Sequence, residues 1–515
     1  MKKLIWIFFP LMSTLAFAQK ADDLTKFGKV ITVNGLKDKL TILASAEMEG
    51  RETATPGQKR AAAYIESEFK RMGLQPGNGD SYQQLYPVYQ DALTEKKLVV
   101  NGKNMDWDKD FNFSMQTIAS GNFNFNSIVF AGYGIVDSAK GINDYANLDV
   151  KGKVVVVVEG SSAGMPTMSV GGSRAFNANP ASPAAKMRAA TSKGAIGLLF
   201  VSADFPKKMA TQVKGGMYLK KNNAPGFLMV NISAAVASSL LGNTATLSLN
   251  DIAAATKGGY NAGLQIVATK TTENLESSNV IGVIPGTDKK DEYLFLTGHY
   301  DHLGKRGDVI YYGADDDGSG TVGVMQMAEA FAAAAKKGKY PRRTVVFMAV
   351  SGEEKGLWGS EYYSDHPIYP MDKTTADLNT DMIGRVDTER MTADTLNYIY
   401  VIGHDKLSSE LQTINEAANK KSANLVLDYK FDDPNDKNRI YYRSDHYNFA
   451  KVGVPILFFY DGMLQADYHK PTDTVDKINF ELMQKRTLMV YYTACEIANR
   501  DEMLKRDIPL TMPAR

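Results

Sequence analysis

The chain has a single cysteine, Cys495, in 515 residues, so no intrachain disulfide can form. If exported, such a protein has to draw its stability from its core, from bound metals or from both. Cys495 itself falls in the apolar pattern Leu488, Val490, Tyr491, Ala494, Ile497 of a late helix and is expected in the core. A charge of one sign is also missing. Lys and Arg number 59 against 58 Asp and Glu, for a net charge of +1, which argues against the basic footprint of a nucleic-acid partner. The main apolar run, Leu4 to Leu15, is shorter than the ~20 residues a membrane span needs. There is no low-complexity tract and no internal repeat, and a hydrophobic fraction of 44% with 23% charged residues is ordinary for a globular protein. The length exceeds the ~250–300 residues at which single cores stop growing, so two domains are expected.

What is present begins with Met1-Lys2-Lys3, the apolar run, and Ala16-Phe17-Ala18 before Gln19. This is the layout of a secretory signal peptide, residues 1–18, cleaved after Ala18; the alternative is an uncleaved anchor. The residue immediately after the cleavage point is Gln19 and not a cysteine, so lipid attachment is not expected. The mature chain would be periplasmic or extracellular, with no membrane span.

Thr55 as N-cap, Pro56 in the first turn, Ile65, Phe69 and Met72 on one face and Gly73 as the stop predict a helix over 56–72. From about Asn122 the pattern turns to short β-like runs, among them the five valines Val154–Val158, which predict a strand buried on both faces. A polar stretch, Thr271 to Ser278, reads as a linker, after which strand-like and helix-like segments alternate to the end. That alternation predicts an α/β sheet domain. The organisation read from the sequence is a first sheet-domain part at 19–121, an insertion at 122–272, and the second part at 273–515.

The chemistry gathers at the ends of the strand-like runs. Gly298-His299-Tyr300-Asp301 and Gly313-Ala-Asp315-Asp316-Asp317-Gly-Ser-Gly320 combine imidazole and carboxylate donors, and Ser351-Gly-Glu353-Glu354, Asn379-Thr-Asp381 and Tyr468-His469 add more. In open α/β sheets the carboxyl ends of the strands are where sites form. Dinuclear sites need several nitrogen and oxygen donors and a carboxylate able to bridge two ions ~3.5–4 Å apart, and this inventory supplies both. It points to a two-metal hydrolase.

These five motifs, in this order, resemble the co-catalytic zinc aminopeptidase family that includes bacterial leucyl aminopeptidases, glutamate carboxypeptidase and the transferrin receptor. The resemblance covers about 41–74 and 273 to the C-terminus. It implies a mixed, mostly parallel eight-stranded sheet sandwiched by helices, and two Zn2+ per chain. His299 and Asp381 would hold one zinc, Glu354 and His469 the other, and Asp316 would bridge them; on spacing alone Asp315 is the alternative bridge. Glu353 would be the general base and then acid, and Asp301 would accept a hydrogen bond from the second ring nitrogen of His299. Tyr468 matches a tyrosine that stabilises the oxyanion, or is packing. A cis peptide is expected at Asp316-Asp317.

The implied activity is an aminopeptidase acting on peptides. A carboxypeptidase, for which Arg385, Arg439 and Arg443 are candidate pocket cations, a single-zinc glutaminyl cyclase and a catalytically silent receptor are the alternatives. Zinc is preferred by donor type, though cobalt or manganese would be accepted. The string Gly318-Ser-Gly320-Thr-Val-Gly323 fits a dinucleotide fingerprint, but the aspartates before it would repel a pyrophosphate. His302, His366 and His404 read as surface or structural, and His446 is rejected as a ligand in favour of His469. Ala332–Ala335 with Lys336 and Lys337 read as helix propensity and a solvated end. The insertion, through Gly132-Tyr133-Gly134-Ile135, Asp144-Tyr145 and Leu148 to Val154, is similar to a protease-associated domain, β-rich and without a donor cluster.

Overall fold

The computed structural model describes residues 22–161, 179–221, 226–391 and 394–510. Residues 1–18, read from the sequence as a signal peptide, lie outside them. The chain divides into two units, one built from the segment ending at Pro87 together with Glu276–Arg515, the other from Val88–Leu275.

The first unit is a helix-covered sheet. Among the described residues its strands are β1 (Gln75–Pro76), the end of β2 (Gly258–Ile284), β3 (Lys289–His299), β4 (Arg343–Val350), β5 (Thr374–Thr380), β6 (Tyr398–Ile402), β7 (Val426–Asp428) and β8 (Ile456–Tyr460). Their order across the sheet is β7-β6-β8-β5-β3-β4-β2-β1. The four central strands β8, β5, β3 and β4 run parallel to one another; β6 pairs antiparallel with β8 and parallel with β7, and β2 pairs antiparallel with both β4 and β1. Successive residues feed opposite cores. Leu294, Leu296, Val345, Phe347 and Phe459 join one apolar cluster, and Phe295, Val346, Met348, Val350 and Phe458 join the other. A strand buried on both faces has to be apolar at consecutive positions, which is why β3, β4 and β8 read as unbroken runs.

One face is covered by the helices Val33–Leu43, Pro56–Met72, Gly320–Ala335 and Phe480–Asn499, the other by Trp358–Asp365 and His446–Lys451. The Pro56–Met72 helix forms as its sequence predicts: the Thr55 hydroxyl accepts from the Gln58 amide, and Gly73 ends it at φ +89°. The Gly320–Ala335 helix ends as expected: Ala332 and Ala334 are packed in the core, Ala333 and Ala335 are half-buried, and Lys336 and Lys337 beyond them are exposed. Cys495 is fully buried, as expected.

The second unit starts earlier than the sequence suggests, at Val88 rather than about residue 122. Trp107, Phe111 and Phe113 pack in its core, and Phe111–Phe113 pairs with the strand Leu228–Ile232. The glycine-rich pattern that marks the unit in the sequence begins only after these residues. The stretch 271–278 is likewise no linker. It continues β2, and its serines are buried: Ser277 Oγ lies 2.8 Å from Ser351 Oγ, and the Ser278 carbonyl accepts from the Tyr300 hydroxyl at 2.6 Å. Polar residues can sit in a buried strand when each finds a partner. Val154–Val158 is buried throughout, with Val154, Val156 and Val158 in one cluster and Val155 and Val157 in the other. No helix of the described residues is long and apolar enough to cross a membrane.

Within this unit Lys186 is fully buried, and its ammonium donates to the carbonyls of Val158 and Gly160 at 2.6 and 2.7 Å. Burial pulls its pKa down from 10.5 to about 8. Between those values the unfolded chain holds the proton that the folded chain has lost, so stability rises with pH from about 8 towards 10, by about 3 kcal/mol when complete. We expect the stability of the wild type relative to Lys186→Met to grow over that range in thermal melts; a gap that stays constant from pH 7 to 10 contradicts the assignment.

Candidate metal centre

The four parallel strands end together, and the donors sit where they end. His299 is the last residue of β3, Glu353 and Glu354 follow β4, and Asp381 follows β5. Asp316 comes from the turn that opens the Gly320–Ala335 helix, and its peptide bond to Asp317 is cis. His469 lies in the loop after β8, with φ +56°.

Asp316 faces two donor sets at once. Its Oδ1 lies 3.4 Å from His299 Nε2, which is itself 3.6 Å from Asp381 Oδ1. Its Oδ2 lies 3.2 Å from His469 Nε2, which is 3.1 Å from Glu354 Oε2. His299 Nε2, Asp316 Oδ2 and Glu354 Oε1 are buried without a hydrogen-bond partner. Buried polar atoms are almost always satisfied, so a convergent group of unsatisfied nitrogen and carboxylate atoms fits divalent cations. Five ligands read from the motifs are therefore brought together.

The neighbouring aspartates have other tasks. Asp317 accepts from the amides of His299, Gly320 and Met382 at 3.0, 2.8 and 2.9 Å. Asp315 accepts from the Gly384 amide and the Ser319 hydroxyl, which turns it away from the imidazoles and leaves Asp316 as the bridging position. Asp473 accepts from the amides of Asp315 and Asp316 at 3.1 Å and so fixes the turn; burial pushes its pKa up to about 6.

Asp301 departs in detail from its expected role. His299 Nδ1 is 3.2 Å from the Asp301 backbone carbonyl and 3.7 Å from its carboxylate. That carboxylate instead accepts from Thr53 Oγ1 at 2.7 Å and from the Glu353 amide at 3.2 Å. It thus holds the backbone of the residue read as the base.

Glu353 Oε2 stands 3.8 Å from His299 Nε2, and burial pushes its carboxyl well above the usual range. Glu354 is opposed by burial and by Asp316, yet His302 and His469 hold it down at about 2. Burial disfavours a charged His469, but Asp316 and Glu354 raise it to about 10. Each of these shifts expresses an acidic enclosure in need of positive charge.

A small pocket opens onto the centre between Glu353, Asp381 and Tyr468, with Met382, Ile440 and Phe458 among its walls. Tyr468 stacks on His469 at 3.9 Å between centroids and accepts from Arg443 at 2.9 Å. Arg443 lines this pocket, whereas Arg385 is paired with Asp467 and Arg439 lies over Tyr442.

The remaining histidines divide. His366 stacks on Tyr362, and His404 stacks on Tyr429 and meets the Asp432 carboxylate through Nδ1, away from the Asp316 centre. His446 is buried, bonded to the Tyr441 carbonyl at 2.8 Å and stacked on Phe458, and burial lowers its pKa to about 3. His302, expected to be surface or structural, belongs to the centre: it is fully buried, 2.8 Å from Glu354 Oε1.

Sequence reasoning also passed over Arg51. Its guanidinium, fully buried, donates to the carbonyls of Tyr300, Leu43, Tyr312 and Gly313 at 2.6, 3.0, 2.7 and 2.9 Å. It ties the loops after β3 and before Asp316 to the N-terminal segment. No motif marks a lone arginine whose partners are all backbone oxygens.

Residues 279–494 match the family model described as Peptidase family M28, which bears out the resemblance carried by the five motifs. A Leptosphaeria maculans protein described as a "Probable zinc metalloprotease" is 32% identical over 136 residues, 25% of this chain and 30% of that protein. An aminopeptidase of Bacillus subtilis is 25% identical over 243 residues, 46% of this chain and 48% of its own length. The chain thus spans less than half the length of either relative. The aminopeptidase from Aneurinibacillus sp. strain AM-1 superimposes with a TM-score of 0.52 at 18% identity, over 96% of this chain and 99% of that one. The mixed α/β fold expected from the sequence is therefore shared with it.

Two outcomes test the centre. Metal-stripped protein should gain about 2.7 kcal/mol when a divalent cation is supplied at a hundredfold over its Kd, and Asp316→Asn should lose most of that gain in calorimetry. An equal gain in the variant would place the cations elsewhere. Arg51→Met, which leaves four carbonyls without their donor, should lose about 3 kcal/mol or more in urea unfolding.

Proposed function

We propose that the chain is a zinc-dependent exopeptidase, an aminopeptidase that releases N-terminal residues from short peptides in the periplasm or outside the cell. The observation that carries the two-metal part of this reading is Asp316, with one oxygen turned to His299 and Asp381 and the other to His469 and Glu354. His299, Asp316 and Asp381 would hold one zinc, and Glu354, His469 and Asp316 the second. Bound there, zinc supplies Lewis-acid polarisation of the scissile carbonyl and of the attacking water.

The chain's own residues do the rest. Glu353, a carboxyl raised by burial and beside the donors without being one of them, takes a proton from the water as its oxygen bonds to the carbonyl carbon. When the carbon–nitrogen bond breaks, Glu353 returns that proton to the leaving amine. The Tyr468 hydroxyl, whose oxygen accepts from Arg443, is free to donate its own proton to the developing oxyanion. Met382, Ile440 and Phe458 give the pocket an apolar wall suited to one uncharged side chain. Residues 88–275 are read as a protease-associated domain, supported by their β-rich build and by the lack of a donor group there in either of the two buried clusters of the centre.

Arg443 favours a second reading. Its guanidinium lines the pocket and meets Tyr468 and, among the described residues, is in ion-pair distance of no carboxylate, so it could receive a substrate C-terminus, as a carboxypeptidase requires. A panel of N-terminally free, acetylated and C-terminally amidated peptides separates the two. Chelator-sensitive, zinc-restored cleavage of free and amidated peptides, with acetylated ones spared, is the expected result; cleavage of acetylated peptides with a free C-terminus moves the assignment to a carboxypeptidase. Glu353→Gln should lower kcat by about 10²–10⁴-fold with both metals still bound, and a variant that keeps full kcat removes Glu353 from the mechanism.

A further inference from the structure

We propose that His302 is a sixth metal-binding side chain, a ligand through Nδ1 that closes the His469 position with four protein donors. The inference rests on the two-zinc reading and extends it. His302 is fully buried, and neither of its ring nitrogens has a hydrogen-bond partner. A neutral imidazole carries one donor and one acceptor, so burying both without a partner is costly unless something else binds one of them. Nδ1 points at the centre, 2.8 Å from Glu354 Oε1 and 3.9 Å from Asp316 Oδ2. Glu354 Oε1 and Asp316 Oδ2 are themselves unpartnered. His302, Asp316 and Glu354 together form a group able to hold an ion, and His469 Nε2 approaches the same two carboxylates from the other side.

The backbone is arranged to keep the ring there. Gly313, at φ +56°, lies flat against it, and a Cβ at that position would come within 2.5 Å of the imidazole. The His302 amide donates to the Arg51 carbonyl at 3.3 Å. A hydrogen bond from Nδ1 to Glu354 is the competing account of the short approach, and it leaves Asp316 Oδ2, 3.9 Å from the same nitrogen, without a partner.

The consequence is an unequal pair. Asp316, Glu354, His469 and His302 amount to a complete tetrahedral set, the coordination of zinc sites that hold structure, while His299, Asp316 and Asp381 are three donors with an open position, the coordination of sites that act on substrate. The His469 position should be filled first, released last, and closed to substrate atoms.

The test is competition titration of metal-stripped full-length protein with a chromogenic chelator, using zinc, and the absorption spectrum with cobalt. Wild type should take up two ions of unequal affinity. His302→Ala and His302→Gln should each weaken the tighter one by tenfold or more, leave the weaker one unchanged, and alter the cobalt bands, as His469→Gln does. Equal affinities and an unchanged spectrum in both variants overturn the proposal, and so does rescue by His302→Gln alone, since the glutamine amide can replace a hydrogen bond to Glu354. If the variants fail to fold, wild-type protein labelled with 15N-histidine decides: zinc should move the His302 Nδ1 resonance and leave those of His446 in place, and an unmoved His302 resonance refutes ligation. A wild type that takes up no divalent cation sinks the two-zinc reading together with this one, whereas two bound ions with an indifferent His302 leave that reading standing.

Discussion

Mutual repulsion of buried carboxylates at the end of a parallel sheet is the constraint around which this molecule is built. Asp301, Asp315, Asp316, Asp317, Glu353, Glu354, Asp381, Asp445, Asp461 and Asp473 all approach the ends of β3, β4, β5 and β8, and most are wholly buried. Two like charges about 4 Å apart repel by roughly 4 kcal/mol at an effective dielectric near 20. Such a gathering holds together only if each member is given a compensating partner. Asp317 and Asp473 take theirs from backbone amides, and Asp445 takes one from the Ser360 hydroxyl at 2.6 Å. Asp461 lies 3.7 Å from the buried guanidinium of Arg486. What remains uncompensated is the inner group around Asp316, and there the imidazoles converge.

The outer carboxylates and the inner donors are therefore parts of one arrangement. Asp317 draws the amides of β3, the helix start and the segment after β5 onto one side chain, which sets the spacing of His299 and Asp381. Asp301 holds Glu353 from behind through its amide. Gly298 and Gly320 permit this closeness: a Cβ on Gly320 would stand 2.2 Å from the Thr380 carbonyl and 2.3 Å from Asp317 Oδ1. The precision of the centre comes from residues that never face its interior.

This division explains what could be read from the sequence. The candidate ligands stand in short motifs just after apolar runs, because a parallel sheet delivers its strand ends to one edge, so the convergence of His299, Asp316, Glu354, Asp381 and His469 was legible. The fold was legible for the same reason, since doubly buried strands cannot hide their apolar runs. His302 was not, although it stands three residues after His299, because the burial of a single imidazole is decided by Gly313 and Glu354 arriving from elsewhere. Arg51 gave no signal either, its partners being carbonyls that any residue could supply. The early start of the second unit at Val88 was missed because the strand that carries it, Gln83–Val100, is largely polar and half-exposed, with only Leu93, Leu98 and Val100 reaching the unit's core.

Arg51 has one more consequence, in time. Its first carbonyl partner beyond the N-terminal segment, that of Tyr300, comes 249 residues later in the chain. At about 5–20 residues per second, a ribosome needs roughly ten to fifty seconds to reach it, and makes the whole of the second unit in that interval. The guanidinium meanwhile stays in water, and the loops it will anchor do not yet exist. Assembly of the centre is thus deferred until the C-terminal half has emerged, and its donors are kept apart while the chain is being made.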